Sequence, residues 1–350
     1  MQLLWKRGVL PAERSEAPGR ATPDWESVRV FLKVVQCGSF RSAAEQLGQS
    51  VNAVRRRMED LEHQLGLTLL TRHIDGVRAT AEGQQILDAA QHMEQASFGL
   101  VRARDSTSPE ISGEVRVAVT EGLGTAWIAP RLIEFQQKYP RLLIDMSCAM
   151  QSADVLRMEA DVSVQLKRPV SNDLKVAKLG RLHVMPFAAK AYLDRYGTPK
   201  TVQDLLKHRI VLQIAEQVES QIEYDRLFPG VPQPGFVAVR TNVSTAHYWT
   251  IARGAGIGML PTYTYIMGAQ ALPLDIGLRV PYDIWLTYHP DAKRIGRVRR
   301  VIDWLAASFD PREFPWFRDE FIHPKELAKE YRGHPLPNLF DGIRGSDDFR

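Results

Sequence analysis

Apolar positions along the chain follow two grammars, and the change falls near residue 113. From Asp24 onward they recur every three or four residues. Trp25, Val28, Phe31, Leu32 and Val35 mark a first helix, with Asp24 as its N-cap. Gly38 in "QCGSF" breaks that helix, and Ala43, Ala44 and Leu47 mark a short second one that Gly48 stops. Val51, Val54, Met58, Leu61 and Leu65 mark a third, with Gly66 at the position after its end. Helix, short turn, helix, glycine turn and longer helix predict a helix-turn-helix. "LTLLTRHIDGVRATAEG" then offers short β-like pieces around "IDG", enough for a two-stranded wing. Thr80 caps a helix over 81–104 whose narrow stripe of Ile86, Ala90, Met93, Leu100 and Val101 predicts a seam for a partner helix. "DSTSPEISG", residues 105–113, is a linker by composition.

From Glu114 strands alternate with helices. "VRVAVT", the helix "TAWIAPRLIEFQQKYP", "LLIDMSC", the helical "SADVLRMEA" and "DVSVQL" predict a β-α-β-α-β run, with strands apolar enough for a parallel sheet buried on both faces. "LKVAKLGRLHVMPFAA" leads into a second set: helices "KAYLDRYG" and "TVQDLLKH", strands "RIVLQI" and "FVAVRTN", and helix "STAHYWTIARGAG". "IGMLP", strand "DIWLTYH" and helix "RIGRVRRVIDWLAASF" complete it. Two α/β halves with a crossing chain describe a hinged bilobal module whose cleft lies at the carboxyl ends of its strands.

The divisions expected are a disordered extension (or over-called start) at 1–23, a winged helix-turn-helix at 24–83 and a linker, dimerisation helix and hinge at 84–112. A two-lobed α/β domain at 113–309 and a C-terminal extension at 310–350, ordered little beyond a partial helix at "HPKELAKEY", follow. The fold class is an all-α winged helix-turn-helix domain with a long linker helix, followed by a bilobal α/β domain.

Composition narrows the partners. A chain of 350 residues, 44% apolar and 25% charged, has material for two globular domains. The net charge of +4 is slight, so the placement of cations matters more than their excess. Two cysteines far apart, Cys37 and Cys148, suit a reducing cytoplasm. No apolar run reaches the roughly 18 residues of a membrane span, and the N-terminal stretch is no secretory signal. The nine histidines show no metal-ligand spacing, and no nucleophile, base and acid stand at motif spacing, so neither metal, cofactor nor catalysis is expected.

Cations do cluster at Arg55-Arg56-Arg57 in the third helix. At about 100° per residue, Arg56 falls opposite the apolar stripe with Asn52 beside it, while Arg55 and Arg57 flank the stripe. A helix fits the B-DNA major groove, where Arg pairs with guanine and Asn with adenine. Glu59, Asp60 and Glu62 make the other half acidic, so the N-terminal half is the one to enter. The plainer alternative is a solvated face in which Arg55 pairs with Glu59 and Arg56 with Asp60. Residues 24–83 hold eight Lys/Arg and eight Asp/Glu, so the unit as a whole is not basic.

The segment "FLKVVQCGSFRSAAEQLGQSVNAVRRRMEDLEHQLG" resembles the LysR-type transcriptional regulators, with Phe31, Gly38, Phe40, Ala43, Ala44, Leu47, Ala53 and Leu61 among the positions that carry the likeness. "LLTR" is similar to that family's wing entry and "ATAEGQQIL" to its linker-helix start. "YLDRYGTP", "DLLKH", "GAGIGMLP" and "DIWLTYH" follow in its effector domain's order. The resemblance implies a ligand-responsive DNA-binding regulator, cytoplasmic and not an enzyme. Its effector domain would be periplasmic-binding-protein-like, holding a small molecule between two lobes. It also implies a homodimer through the seam helix, pairing into a homotetramer on double-stranded DNA with two-fold related sites. The candidate DNA contacts are Ser39, Arg41, Ser50, Asn52, Arg55, Arg56 and Arg57, with Arg72 as the wing's phosphate contact. Val51, Arg55 and Asp75 depart from the family's usual residues, which bears on operator sequence and on non-specific affinity.

For the cleft, "TEGLGT" places Thr120, Gly122 and Thr125 at a strand-to-helix turn, with Gln165 and Lys167, Gln213, and Ser244 with Thr245 at other strand ends and helix starts. Glu121 either favours an amine or neutral hydroxylated effector or simply faces solvent. "GAGIG" lacks the dinucleotide spacing and follows a helix, so it reads as a helix-to-strand turn. Cys148 has no resolving partner in its domain and reads as a packed small residue. The rival class is a solute-binding protein or small enzyme on the bilobal module with structural N-terminal helices; another keeps DNA binding and makes the α/β part a scaffold.

Overall fold

The first helix begins where the sequence offers a cap: the Asp24 carboxylate accepts the Ser27 amide at 3.0 Å and its hydroxyl at 2.6 Å, opening α1 (Trp25–Cys37). Two repeats of the same logic follow. Ser39 opens α2 (Phe40–Leu47), Ser50 opens α3 (Val51–Leu65), and Gly38, Gly48 and Gly66 close the three helices in left-handed geometry. This computed structural model describes residues 22–73, 76–105, 111–218, 220–331 and 333. Its chain divides into two units, Met1–Leu100 and Val101–Arg350. The expectations for residues 1–21, for Asp75, and for most of the linker at 106–110 lie outside the described residues.

In the first unit Val28, Phe31, Leu32, Val54, Met58 and Leu61 form one buried core, joined by Leu69 and Val77 from the wing. The wing strands β1 (Leu70–His73) and β2 (Gly76–Ala79) pair antiparallel. Val77 N donates to Gly38 O at 2.7 Å, and a Cβ on Gly76 would sit 2.4 Å from that same oxygen. Glycine there is what lets the wing reach the helices. Next comes α4 (Ala81–Asp105), with Thr80 Oγ1 accepting from Gly83 N at 2.8 Å. Its apolar stripe divides in a way periodicity does not reveal. Ile86, Leu87 and Ala90 pack on the core of the helix-turn-helix, whereas Met93 and Leu100 are 38% and 75% exposed. The exposed part of the stripe therefore starts at Met93; the side chain of Val101 is outside the described residues.

In the second unit β3 (Gly113–Thr120) leads through α5 (Glu121–Leu123) and a π-helical turn, Gly124–Ile128, into α6 (Ala129–Lys138). β4 (Leu142–Ala149) and β5 (Val162–Gln165) pair parallel with β3 on either side. All of β5 is buried, as a two-sided strand should be, but β4 is the edge and alternates, with Leu143, Asp145 and Ser147 exposed. The helix expected at "SADVLRMEA" is instead a turn: the Asp154 carboxylate takes the Leu156 and Arg157 amides at 2.9 and 3.2 Å, and Met158 adopts φ 56°. The aspartate starts a single turn as an N-cap would, and the left-handed Met158 ends it before a second turn can form.

The crossing segment is a fourteen-residue strand, β6 (Lys175–Ala188). Beyond it lie α7 (Lys190–Tyr196), a 3₁₀ turn at Gln203–Lys207 where a helix was expected, and β7 (Ile210–Gln213). They are followed by α8 (Ser220–Leu227), a kinked turn α9 (Gln233–Phe236), β8 (Val237–Thr241) and α10 (Ser244–Ala252). "GAGIG" makes the turn from α10 into β9 (Gly258–Pro261), and α11 (Tyr263–Ile266), β10 (Leu272–Pro273) and β11 (Val280–Tyr288) continue. β6 pairs antiparallel with β11, β9 and β10, and β11 pairs antiparallel with β5, so one mixed sheet runs β10-β6-β11-β5-β3-β4 with β9 branching from β6. β7 and β8 form a small parallel sheet beside it.

After α12 (Gly296–Ser308) the chain does more than the balanced composition of 310–350 suggests. Phe314, Trp316 and Phe317, then Leu327 on α13 (Pro324–Glu330), are buried in the main core. Trp127 sits among them with ring centroids 4.9, 5.3 and 5.1 Å from Phe314, Trp316 and Phe317, and donates its indole N–H to Ser308 O at 2.8 Å. The Arg131 guanidinium covers Trp127 at 3.4 Å. A few large aromatics scattered without period bury a segment as firmly as an amphipathic helix does.

Candidate nucleic-acid interface and ligand cavity

The buried side of α3 is held by Val54, Met58 and Leu61, and the opposite side leaves Asn52, Arg55 and Arg56 exposed. Ser50 caps the helix by accepting Ala53 N at 3.2 Å. Among the described residues no ion pair holds Arg55 or Arg56, so the pairs with Glu59 and Asp60 do not form. Arg55 lies over the Phe40 ring at 5.8 Å, which positions its charge without neutralising it.

The remaining candidates are placed unequally. Arg57 is half-buried beside the start of α1. Its charge helps hold Asp24 and Glu26 below the usual carboxylate range, after the larger effects of their hydrogen bonds from Ser27 and Arg29. Arg41 pairs with Glu45 at 3.4 Å, both highly exposed, a contact weak enough to give up for a phosphate. Ser39 is occupied in capping α2. Arg72 is exposed on β1, opposite Val77 in the wing register. Glu62 has a structural task that the acidic pattern concealed: its Oε1 accepts the Leu69 and Leu70 amides at 2.6 and 3.1 Å, fixing the entry to the wing.

In the second unit a cavity of about 400 Å³ opens at the carboxyl end of β3. Thr120, Gly122, Thr125, Gln213, Ser244 and Thr245 all line it, whereas Gln165 and Lys167 do not. Gln165 is turned into the sheet, accepting from Ser163 Oγ at 3.0 Å and donating to Lys167 O at 2.7 Å. Most of the predicted polar groups that face the cavity are bonded within the chain, while the buried Nδ1 of His247 on its wall has no partner among the described residues. Thr120 Oγ1 donates to Gln217 Oε1 at 2.6 Å, and the same oxygen accepts Leu166 N at 2.9 Å. Gln213 Nε2 donates to Ser244 Oγ at 2.8 Å.

Glu121 neither faces solvent nor waits for an amine. Its carboxylate accepts Ser244 N at 2.6 Å, Thr245 N at 3.2 Å and the Thr245 hydroxyl, capping α10 from the far side of the chain. Gly122 makes that approach possible, since a Cβ there would lie 3.0 Å from Ser244 Cβ and Oγ. Glu121 and Gln217 are the residues sequence reasoning misplaced or missed. Neither carries a local signal, because each acts on a partner more than 45 positions away. Burial, with Glu121 nearby, pushes the Cys148 thiol up, as suits a packed side chain. His247 on the cavity wall is pushed down to about 4 by burial, against the raising effect of its bond to Met259 O, and is neutral at physiological pH.

Among the described residues no helix is long and apolar enough to cross a membrane, and no three metal-ligating side chains cluster. Residues 25–84 match the family model of bacterial regulatory helix-turn-helix proteins, lysR family, and residues 108–310 match that of the LysR substrate binding domain. An HTH-type transcriptional regulator of Xanthomonas campestris pv. campestris is 33% identical over 296 residues, 83% of this chain and 78% of that one. Two solved structures have the same fold. ArgP from Mycobacterium tuberculosis has a TM-score of 0.53 at 19% identity, covering 84% of this chain and 98% of its own. The virulence activator AphB of Vibrio cholerae has 0.51 at 20%, covering 81% and 99%.

Proposed function

The chain belongs to the LysR family of transcription regulators, and on that premise we propose how it divides the work of binding. The N-terminal half of α3 enters the major groove, where Asn52 and Arg56 meet base edges and Arg55 is held ready by Phe40. Arg72 on the wing, Ser50 and Arg41 meet phosphates, and Ser39 and Arg57 fix the angle between helices. A homodimer forms along α4 from Met93 to Leu100 and pairs into a tetramer, which acts in the cytoplasm by binding and not by catalysis. A small-molecule effector lodges in the cavity beside Thr120, Gly122, Thr125, Gln213, Ser244 and Thr245.

The observation that carries this reading is the outward face of α3: two arginines and an asparagine, exposed and with no ion pair among the described residues, backed by the buried Val54, Met58 and Leu61. The test is footprinting of the full-length protein on the DNA upstream of its own gene, where such regulators act. Protection of two symmetry-related half-sites about one helical turn apart is the expected pattern. A protein that binds all sequences alike at physiological salt, or none, ends the reading.

A further inference from the structure

We infer that the cavity of the second unit takes an uncharged, largely apolar effector, because Glu121 already occupies the place an effector's carboxylate would take at the start of α10. The inference rests on the reading of this cavity as the effector site. Helix N-termini favour anions, since free amides and the helix dipole converge there. In this chain both amides of that site, Ser244 N and Thr245 N, and the Thr245 hydroxyl are already bonded to the Glu121 carboxylate. Gly122 abuts Ser244 closely enough that a second anion has no room between them.

Nothing else in the lining offers a counter-charge. Among the described residues it contains no lysine or arginine, and its one acid, Glu223, is paired with Arg226. Thr120 Oγ1 donates to Gln217, and one N–H of Gln213 donates to Ser244. The walls left to a ligand are those of Leu182, Val184, Met259, Tyr263, Leu278 and Tyr282. A buried anion without a partner is strongly disfavoured, so charge is selected against here while apolar area is selected for. The volume is in the range of ordinary small-molecule sites. Glu121 also ties the β3–α5 turn to α10, so the same contact holds the cavity mouth together in the absence of ligand.

A matched pair of probes tests this on the full chain: 2-naphthol and 2-naphthoate, read by thermal shift and calorimetric titration. Wild type should bind the alcohol at least tenfold more tightly than the carboxylate, and Met259→Trp, which fills the cavity, should abolish the binding. Glu121→Ala should melt lower and be restored by acetate but not by chloride at equal ionic strength, and Glu121→Gln should show intermediate melting. Carboxylate binding as tight as the alcohol's, lost in Met259→Trp, would overturn the charge selection while leaving the site standing. Failure of acetate to restore Glu121→Ala would overturn the stand-in role. Binding of neither probe, or binding that survives Met259→Trp, would instead overturn the cavity as the effector site and the inference with it.

Discussion

The two units treat polar groups in opposite ways. On α3 cationic side chains are displayed: Arg55 and Arg56 are exposed with no carboxylate partner among the described residues, and a ring contact steadies Arg55. In the cavity every predicted polar contact that lines it at a strand end or helix start is matched inside the chain, Thr120 by Gln217, Gln213 by Ser244, Ser244 and Thr245 by Glu121. A surface that meets a polyanion gains from unspent charge, since each phosphate contact releases counterions. A pocket that must stay folded without its ligand gains from self-satisfaction, since a buried unpaired polar group is costly. Polarity at a site is therefore no measure of polarity in its ligand; what counts is the polarity left unpaired.

Several perturbations would break or sharpen that contrast. The largest effect should come from Trp316→Ala, which removes the ring beside Trp127 and should cost about 3–5 kcal/mol in urea unfolding of the second unit. A loss below about 1 kcal/mol would return residues 310–331 to the status of an appendage. Acid should come next. The folded His247 binds its proton only near pH 4, against 6.5 for an ordinary imidazole, so the unfolded chain takes that proton first. Its contribution is complete above pH 6.5 and is lost as pH falls toward 4, on the order of 3 kcal/mol at the limit. Melting temperatures of wild type and His247→Gln across that window should converge on acidification. On the displayed surface the effects are smaller and of two kinds. Arg56→Ala should flatten discrimination between operator bases by about 1–3 kcal/mol, whereas Arg72→Ala should weaken all DNA alike and lower the logarithmic salt slope by about one. Gel-shift titrations at several salt concentrations separate the two, and identical behaviour would remove the distinction between reading and anchoring.

What the sequence disclosed follows from the range of the interactions involved. The caps at Asp24, Ser39 and Ser50 act over three residues, and the stripe of Val54, Met58 and Leu61 over two turns, so α1 to α3 were legible together with the outward face of α3. The cavity's candidates Thr120, Gln213 and Ser244 were legible as strand ends and helix starts, and the fold brings them around one space. Their partners were not legible, because Glu121 and Ser244 meet across 123 positions and Thr120 and Gln217 across 97. Gln165 looked equivalent to Gln213 until pairing fixed which way each strand end turns. The helix expected at "SADVLRMEA" stops after one turn because Met158 turns left-handed, and the buried tail had no period to reveal it.

The length of β6 sets how the second unit can respond to anything it binds. Its first part is laced to β11 and its last part to β9 and β10, with a bulge at Leu179 of β6, where Ile284 pairs with Gly180 but Trp285 with Lys178. A single ribbon threaded through both halves acts as a torsion bar: it yields readily to winding and hardly at all to pulling. An extra residue in one strand raises the local twist, so the winding of this ribbon is concentrated at Leu179.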